Sequence, residues 1–292
     1  LYYCSWDKDA LGKQSIGVAV SDSATGPFKD IGKSLVKGTV TNPQNSNWDD
    51  IDPTVWIEND KNGVEHRYLA WGNSQYYICE LNDDMVSVKD QNGDGKITCG
   101  TSVKKADIIN KTPEGYTEAP WIYRRQDANG NYTGRYYLFY ASGWHEKMAY
   151  STTDDLMNGK WTYGSVIMQP TATSNTNHMA VFDFGGKTYF MHHNGSQPAG
   201  SGYRRIPCVV ELNWNEDGSI KEMEESASGV SGTTSVLYTN SGKLLEHEYF
   251  ENSSLESNYP YTYKKAGVNI GEESTDHEWL LLPGKADTSK GS

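Results

Sequence analysis

"APWIYRR" (119–125), "RYYLFYAS" (135–142) and "KMAYSTT" (147–153) are short runs of aromatic, branched and aliphatic residues separated by turn-forming stretches. Runs of this length and composition predict β-strands joined by hairpins. The same grouping recurs along the chain. "DPTVWIE" (52–58) precedes "HRYLAWGN" (66–73) and "YYICEL" (76–81), and "MAVFDFG" (179–185) precedes "KTYFMHHN" (187–194) and "IPCVVEL" (206–212). "LYYCSWD" (1–7) and "IGVAVSD" (16–22) form a similar group without a leading run. Aligning the middle runs on Tyr3, Tyr68, Tyr137 and Tyr189 gives spacings of 65, 69 and 52 residues. Three or four antiparallel strands repeating at such intervals predict an all-β chain built from blades of a β-propeller, with four blades visible.

The repeat stops after "WNEDGSI" (214–220), and "ESASGVSGTTS" (225–235) reads as a linker. The expected organisation is a propeller over residues 1–226, followed by a linker and part of a C-terminal β-sandwich-like segment over 227–292. Helical periodicity is nearly absent.

A net charge of −12 supplies no basic surplus to hold phosphates, so nucleic acid and anionic membrane are not expected partners. No apolar run approaches the length of a bilayer span. The 20 Tyr and 9 Trp outnumber 6 Phe, and rings with an apolar face and a polar edge suit stacking on sugars as well as ordinary sheet packing. Cys4, Cys79, Cys99 and Cys208 have no zinc-site spacing. Cys79 and Cys99 are expected either to bridge neighbouring strands or to remain buried thiols.

Several familiar motifs are missing or incomplete. There is no GxSxG elbow and no HExxH pair. "GGKT" (185–188) imitates the end of a phosphate loop, but Val181 occupies the position of its first Gly, so it reads as a hairpin turn. "DQNGDGKI" (90–97) spaces Asp90, Asn92 and Asp94 like half of a calcium loop. Its twelfth position is Thr101, which cannot supply the bidentate carboxylate, and a hydrated turn is expected.

Acidic residues at the starts of blades carry the chemistry. Asp52 precedes Pro53 at the head of one leading strand, and Glu118 holds the same place 66 residues later. Leading strands line a propeller's channel, so their heads converge at one end. Carboxyls gathered there push their pKa values apart, which lets an acid and an ionised partner coexist. His178 in "NTNHMAVFD" heads the last blade, and Arg204 and Arg205 lie beside the channel wall.

With these residues in place, the chain resembles glycoside hydrolase family 43, five-bladed propeller enzymes that trim arabinose and xylose from plant polysaccharides. The likeness rests on "IGVAVSDSATGPF", "IDPTVWIE", "YTEAPWIY", "MAYSTTDDLMNGKWTYGSVIM", "NHMAVFDFGGKTYFMHHNG" and "RRIPCVVELNWNEDGSI", in collinear order from residue 1 to about 222. Ile51 before Asp52-Pro53 and Ala119 after Glu118 separate it from the invertase and fructanase group, which carries Arg and usually Cys there.

The resemblance implies Glu118 as general acid and Asp52 as the residue that modulates its pKa. It implies His178 and Arg205, less directly Arg204, as sugar contacts, with Trp71 and Trp121 as aromatic neighbours of the substrate. No cofactor is required, although a structural calcium near His178 is implied. The implied partner is a plant cell-wall polysaccharide or oligosaccharide, the implied reaction is inverting removal of arabinofuranosyl or xylosyl units, and the implied location is secreted or periplasmic. A non-catalytic sugar-binding propeller is the alternative. One departure stands out. The family's general base, an Asp in an Asp-Pro setting of the first blade, has no counterpart here. Asp7 and Asp9 follow a strand rather than head one. The expectation is a propeller of which about four blades are present, with its base upstream of Leu1 and no hydrolysis by this chain alone.

Overall fold

Residues 1–41, 48–127, 129–170, 174–195, 202 and 205–224, with Tyr263–Lys265 and Val268–Ile270, are described by a computed structural model. Four sheets follow one another along the chain. The first holds β1 (Tyr2–Asp7), β2 (Lys13–Val20) and β3 (Lys29–Asp30) in that order. The second holds β4 (Thr54–Asn59), β5 (Glu65–Trp71), β6 (Tyr77–Glu80), β7 (Cys99–Gly100) and β8 (Ile108–Asn110), in the order β4-β5-β6-β8-β7. β9 (Glu118–Gln126), β10 (Tyr132–Ser142), β11 (Lys147–Thr153) and β12 (Thr162–Met168) make the third, and β13 (Ala180–Phe184), β14 (Lys187–Asn194) and β15 (Ile206–Glu211) the fourth. The sequential antiparallel pairing that the repeated hairpin pattern predicts holds in the first, third and fourth sheets and over β4-β5-β6 of the second, where β8 pairs with β6 and the two-residue β7 lies parallel to β8.

Strand β10 explains why "RYYLFYAS" is apolar without alternation. Successive side chains point to opposite faces of a strand. Tyr136, Leu138 and Tyr140 pack toward the second sheet, with Ala70, Ile78 and Ile109. Tyr137, Phe139 and Ala141 pack toward the fourth, with Val181, Phe190 and Leu212. Both faces of the third sheet are therefore buried. A third cluster joins Ile16 and Val36 of the first sheet to Leu69, Trp71 and Tyr77 of the second. The core is a series of apolar seams between face-to-face blades.

β9 is flanked by the other leading strands, β4 and β13. Glu58 on β4 ties two of these blades together. It is 6% exposed and accepts hydrogen bonds from the Tyr136 hydroxyl and from Arg124 Nη1, the latter at 3.2 Å. Among the described residues no helix is long and apolar enough to cross a membrane.

The chain divides into two compact units, residues 1–196 with 200–229, and residues 197–199 with 230–292. The boundary expected at 226/227 and the linker fall outside the described residues. In the second unit, β16 (Tyr263–Lys265) and β17 (Val268–Ile270) pair antiparallel; the rest of the sandwich-like segment also lies outside them.

All four cysteines are free. Cys79 and Cys99 both stand opposite Ile108, on either side of the intervening β8. Two ladder spacings of about 4.8 Å separate them, beyond the ~7 Å that a disulfide spans. The bridge weighed from the sequence is thus replaced by two thiols, because β8 inserts between their strands. The calcium-like turn satisfies itself: Asp90 accepts the N–H groups of Asn92, Gly93 and Gly95, and Asp94 accepts that of Lys96.

Candidate active site

Each leading strand begins at the same end of its blade, and its head carries the functional group. Asp52 lies two residues before β4, Glu118 opens β9, and His178 lies two residues before β13. Asp52 and Ala119 both take positive φ, 58° each, a conformation uncommon outside glycine. At Ala119 the β9–β10 register shifts, so that Glu118 stands opposite Ala141. This bulge re-aims the head of the strand. The Ala119 N–H donates to Asp52 Oδ2 at 3.2 Å, joining the two heads directly.

In an antiparallel blade the second strand returns to the end where the first began. Gly72 and Asn73 follow β5 there. Gly72 has φ +132°, and an added Cβ would stand 1.9 Å from the Gln75 carbonyl oxygen, so only glycine fits. Its N–H donates to Ile51 O at 2.9 Å and that of Asn73 to Asp49 O at 2.9 Å, locking the loop before Asp52. Asn73 Nδ2 then donates to Glu118 Oε2 at 2.5 Å. On the next blade, β10 returns to the turn that carries Glu146, which is 1% exposed. The Glu146 side chain is hydrogen bonded to that of Glu118.

These groups surround a cavity of about 220 Å³ lined by Trp48, Asp52, Asn73, Glu118, His178 and Arg205 among others. His178 Nδ1 stands 4.0 Å from Asp52 Oδ1, and the His178 N–H donates to His193 Nε2 at 3.1 Å. Arg205 Nη2 donates to Thr176 Oγ1 at 3.2 Å. Arg204 falls outside the described residues.

Electrostatics divide the site. Burial raises the Asp52 carboxyl above its ordinary range, while the Ala119 N–H and the Arg205 guanidinium oppose that shift. Burial and then Arg205 depress His178, and the same causes hold His193 down at about 4, so both imidazoles are neutral at pH 7. The Glu146 carboxyl is pushed up to about 8, first by burial and then by the Glu118 charge. Beneath the site, burial lifts Asp50 to about 6 despite hydrogen bonds from Thr41 and Trp71.

A pH dependence follows. Folded Glu146 binds its proton more tightly than the unfolded carboxyl at 4.5, so its contribution is complete below 4.5 and lost as pH rises through about 8. His178, His192 and His193 have depressed values and act in the opposite direction, but only below the ordinary imidazole value of 6.5. Urea unfolding at graded pH should therefore give stability that falls above about pH 6.5, on the order of 1 kcal/mol per pH unit. A flat profile from pH 6.5 to 9 would contradict this assignment.

Of the residues singled out from sequence, Asp52, Glu118, His178 and Arg205 come together. Trp71 and Trp121 do not line the cavity. Trp71 is fully buried and its indole donates to Asp50. Trp121 packs in the seam with the fourth blade, with its Nε1 donating to Val181 O at 3.0 Å. Asp7 caps a short turn, accepting from the Asp9 N–H at 2.7 Å and from Ser34. Among the described residues no group of three or more His, Cys, Asp or Glu side chains is placed to hold a metal ion, beside His178 or elsewhere. Sequence reading missed Asn73, Glu146 and Trp48. The return of β5 and β10 to the site end was the available signal for the first two.

Residues 1–220 match the family described as Glycosyl hydrolases family 43. A Beta-D-galactofuranosidase from Aspergillus niger is 29% identical over 229 residues, covering 75% of this chain and 58% of that protein. A Xylosidase/arabinosidase from Bacteroides ovatus is 28% identical over 240 residues, covering 72% and 65%. The chain thus spans about three fifths of the length of these two relatives. Among solved structures, a GH43 beta-xylosidase/alpha-arabinofuranosidase from a compost metagenome, in complex with xylotriose and in calcium-free form, is 25% identical with TM-score 0.56, covering 76% of this chain and 69% of that one. An alpha-L-arabinofuranosidase from Clostridium thermocellum is 27% identical with TM-score 0.55, covering 74% and 67%. These structures are five-bladed propellers, and the four sheets described above are blades of that fold. The chain belongs to glycosyl hydrolases family 43.

Proposed function

We propose that the intact protein removes terminal α-L-arabinofuranosyl or β-D-xylosyl units from arabinoxylan-type polysaccharides by inversion, with Glu118 as general acid and Asp52 as modulator of its pKa. The observation that carries this reading is the convergence of Asp52, Glu118, His178 and Arg205 on one cavity at the heads of successive blades. Relatives described as xylosidase/arabinosidase and arabinoxylan arabinofuranohydrolase support the substrate class. Asn73 orients the Glu118 carboxyl, and Asp52 fixes the backbone of the following residue. Glu118 protonates the departing glycosidic oxygen, while neutral His178 and cationic Arg205 offer donors to sugar hydroxyls. Incubation of the intact protein with arabinoxylan, with proton NMR of the first-formed anomer, tests the reading: free arabinose or xylose of inverted configuration is expected, and retained configuration overturns the mechanism.

A second reading, sugar binding without turnover, is favoured by one feature. Among the described residues the carboxylates lining the cavity are Asp52 and Glu118, and both act on the leaving-group side. Inversion also needs a base about 6.5–9.5 Å from the acid, and Glu146 touches Glu118 instead. Oligosaccharide binding by calorimetry with no reducing sugar released would select this reading.

Trp48 supplies an apolar face at the cavity. It is 55% exposed and packs edge-on against Trp6 at 5.0 Å between ring centroids. Replacing Trp48 by Ala should raise KM about two- to tenfold while leaving kcat near the wild-type value, the signature of lost uniform binding. An equal loss in kcat would place Trp48 in the transition state instead.

A further inference from the structure

Glu146 is a buried acid that the proposed reaction does not yet use. Its carboxyl is held from two sides. The Asn177 N–H donates to Oε2 at 2.6 Å, and the Asn177 side-chain amide donates to the Glu146 carbonyl oxygen. The Glu146 N–H donates to Asn175 O at 3.3 Å. The turn between β10 and β11 is thereby pinned to the segment leading into β13. The carboxyl is also hydrogen bonded to that of Glu118.

A carboxylate accepts hydrogen bonds and cannot donate them. A hydrogen bond between two carboxyls therefore requires a proton on one of them, and two ionised groups in contact repel. We propose that Glu146 is a positioning residue for the general acid, sharing with Glu118 the one proton that the leaving oxygen takes. This rests on the reading of Glu118 as the acid. When Glu118 gives the shared proton to the departing oxygen, both carboxyls are left ionised. The Glu146 carboxylate left behind is held by the Asn177 N–H, and the pair regains one proton from solvent.

The surrounding charges favour this state. Glu118 on β9 and Asp52 ahead of β4 are the charged groups with the largest effect on Glu146, and both oppose its ionisation. Arg205, ahead of β15, acts on Asp52, His178 and His193, and it is not among the largest influences on Glu146. The two neutral imidazoles add no positive charge. Asn73 donates to the far side of the dyad, on Glu118 Oε2.

Two measurements on the intact protein test the dyad. The first needs no activity. In protein labelled with ¹³C at glutamate carboxyls, one carboxyl should titrate near pH 8 in the wild type, and this step should vanish in Glu146→Gln. The wild-type titration is decisive even where a variant fails to fold. If no glutamate titrates above about pH 6, Glu146 is an ionised tether for Asn177 and the proposal falls.

The second is the pH profile of kcat/KM. A glutamine at 146 donates to Glu118 and favours its ionised form, so the alkaline limb should move about one pH unit or more toward acid, and Glu146→Asp should restore part of it. An unchanged limb overturns the proposal. A pH 8 step combined with full hydrolysis by Glu118→Gln would overturn the acid assignment and the positioning role together. Lost hydrolysis in Glu118→Gln without the step would overturn the dyad alone.

Discussion

Replacing Glu118 by Gln should lower kcat/KM by about 10²–10⁴-fold on substrates with poor leaving groups. The amide keeps the size of the side chain and its hydrogen bond from Asn73, which lies at 2.5 Å in the parent, but it has no proton to give. The loss should therefore depend on the leaving group. Nitrophenyl glycosides, whose phenolate departs with little help, should lose far less than xylo-oligosaccharides or methyl glycosides. KM should change little, because the missing interaction is made in the transition state. A uniform deficit across leaving groups would place Glu118 in binding or folding rather than in proton transfer.

Arg124→Met should cost about 3 kcal/mol of stability, the lower end of the range for breaking a buried ion pair because the Arg124 side chain is 23% exposed. The side chain of Glu58 is 5% exposed at the seam between the second and third blades. Its two oxygens are taken by the Tyr136 hydroxyl and by Arg124 Nη1. The guanidinium also lies 4.4 Å over the Tyr136 ring and donates from Nε to Gly134 O at 3.1 Å. Methionine keeps much of the volume and leaves a buried carboxylate with one neutral donor. Adding Glu58→Leu should recover most of the loss, since the cost lies in the stranded charge rather than in the absence of attraction. Equilibrium urea unfolding of the two single variants and the double variant measures both effects. A loss below about 1 kcal/mol for Arg124→Met would mean that the pair behaves as a surface bridge.

The blades were legible in the sequence because each strand run ends in recognisable turn chemistry, and because the spacing of Tyr3, Tyr68, Tyr137 and Tyr189 repeats. The convergence of Asp52, Glu118 and His178 followed from one geometric rule, that leading strands begin at one mouth. Reading stopped short where that rule was not carried to the second strand. Asn73 and Glu146 sit after β5 and β10, which return to the same mouth, and neither has a local motif to mark it. Aromatic residues were hard to place for a different reason. Alternation along a strand gives two faces, but blades bury both, so Trp71 and Trp121 in a strand do not reveal whether they meet substrate or the next blade. The short β8 between the strands of Cys79 and Cys99 likewise had no signal in cysteine spacing alone.

On the proposed function, a glycosidic oxygen docks against Glu118 in the cavity ringed by Asp52, Asn73, His178 and Arg205. A crystal structure of the Glu118→Gln protein with an arabinofuranosyl-substituted xylo-oligosaccharide tests this docking. The expected result is an intact ligand with its terminal pentose in this cavity and the glycosidic oxygen about 2.6–3.2 Å from the amide that replaces the acid. A sugar bound instead at the opposite end of the third blade, against Arg125 and Arg135, with this cavity empty, would contradict it.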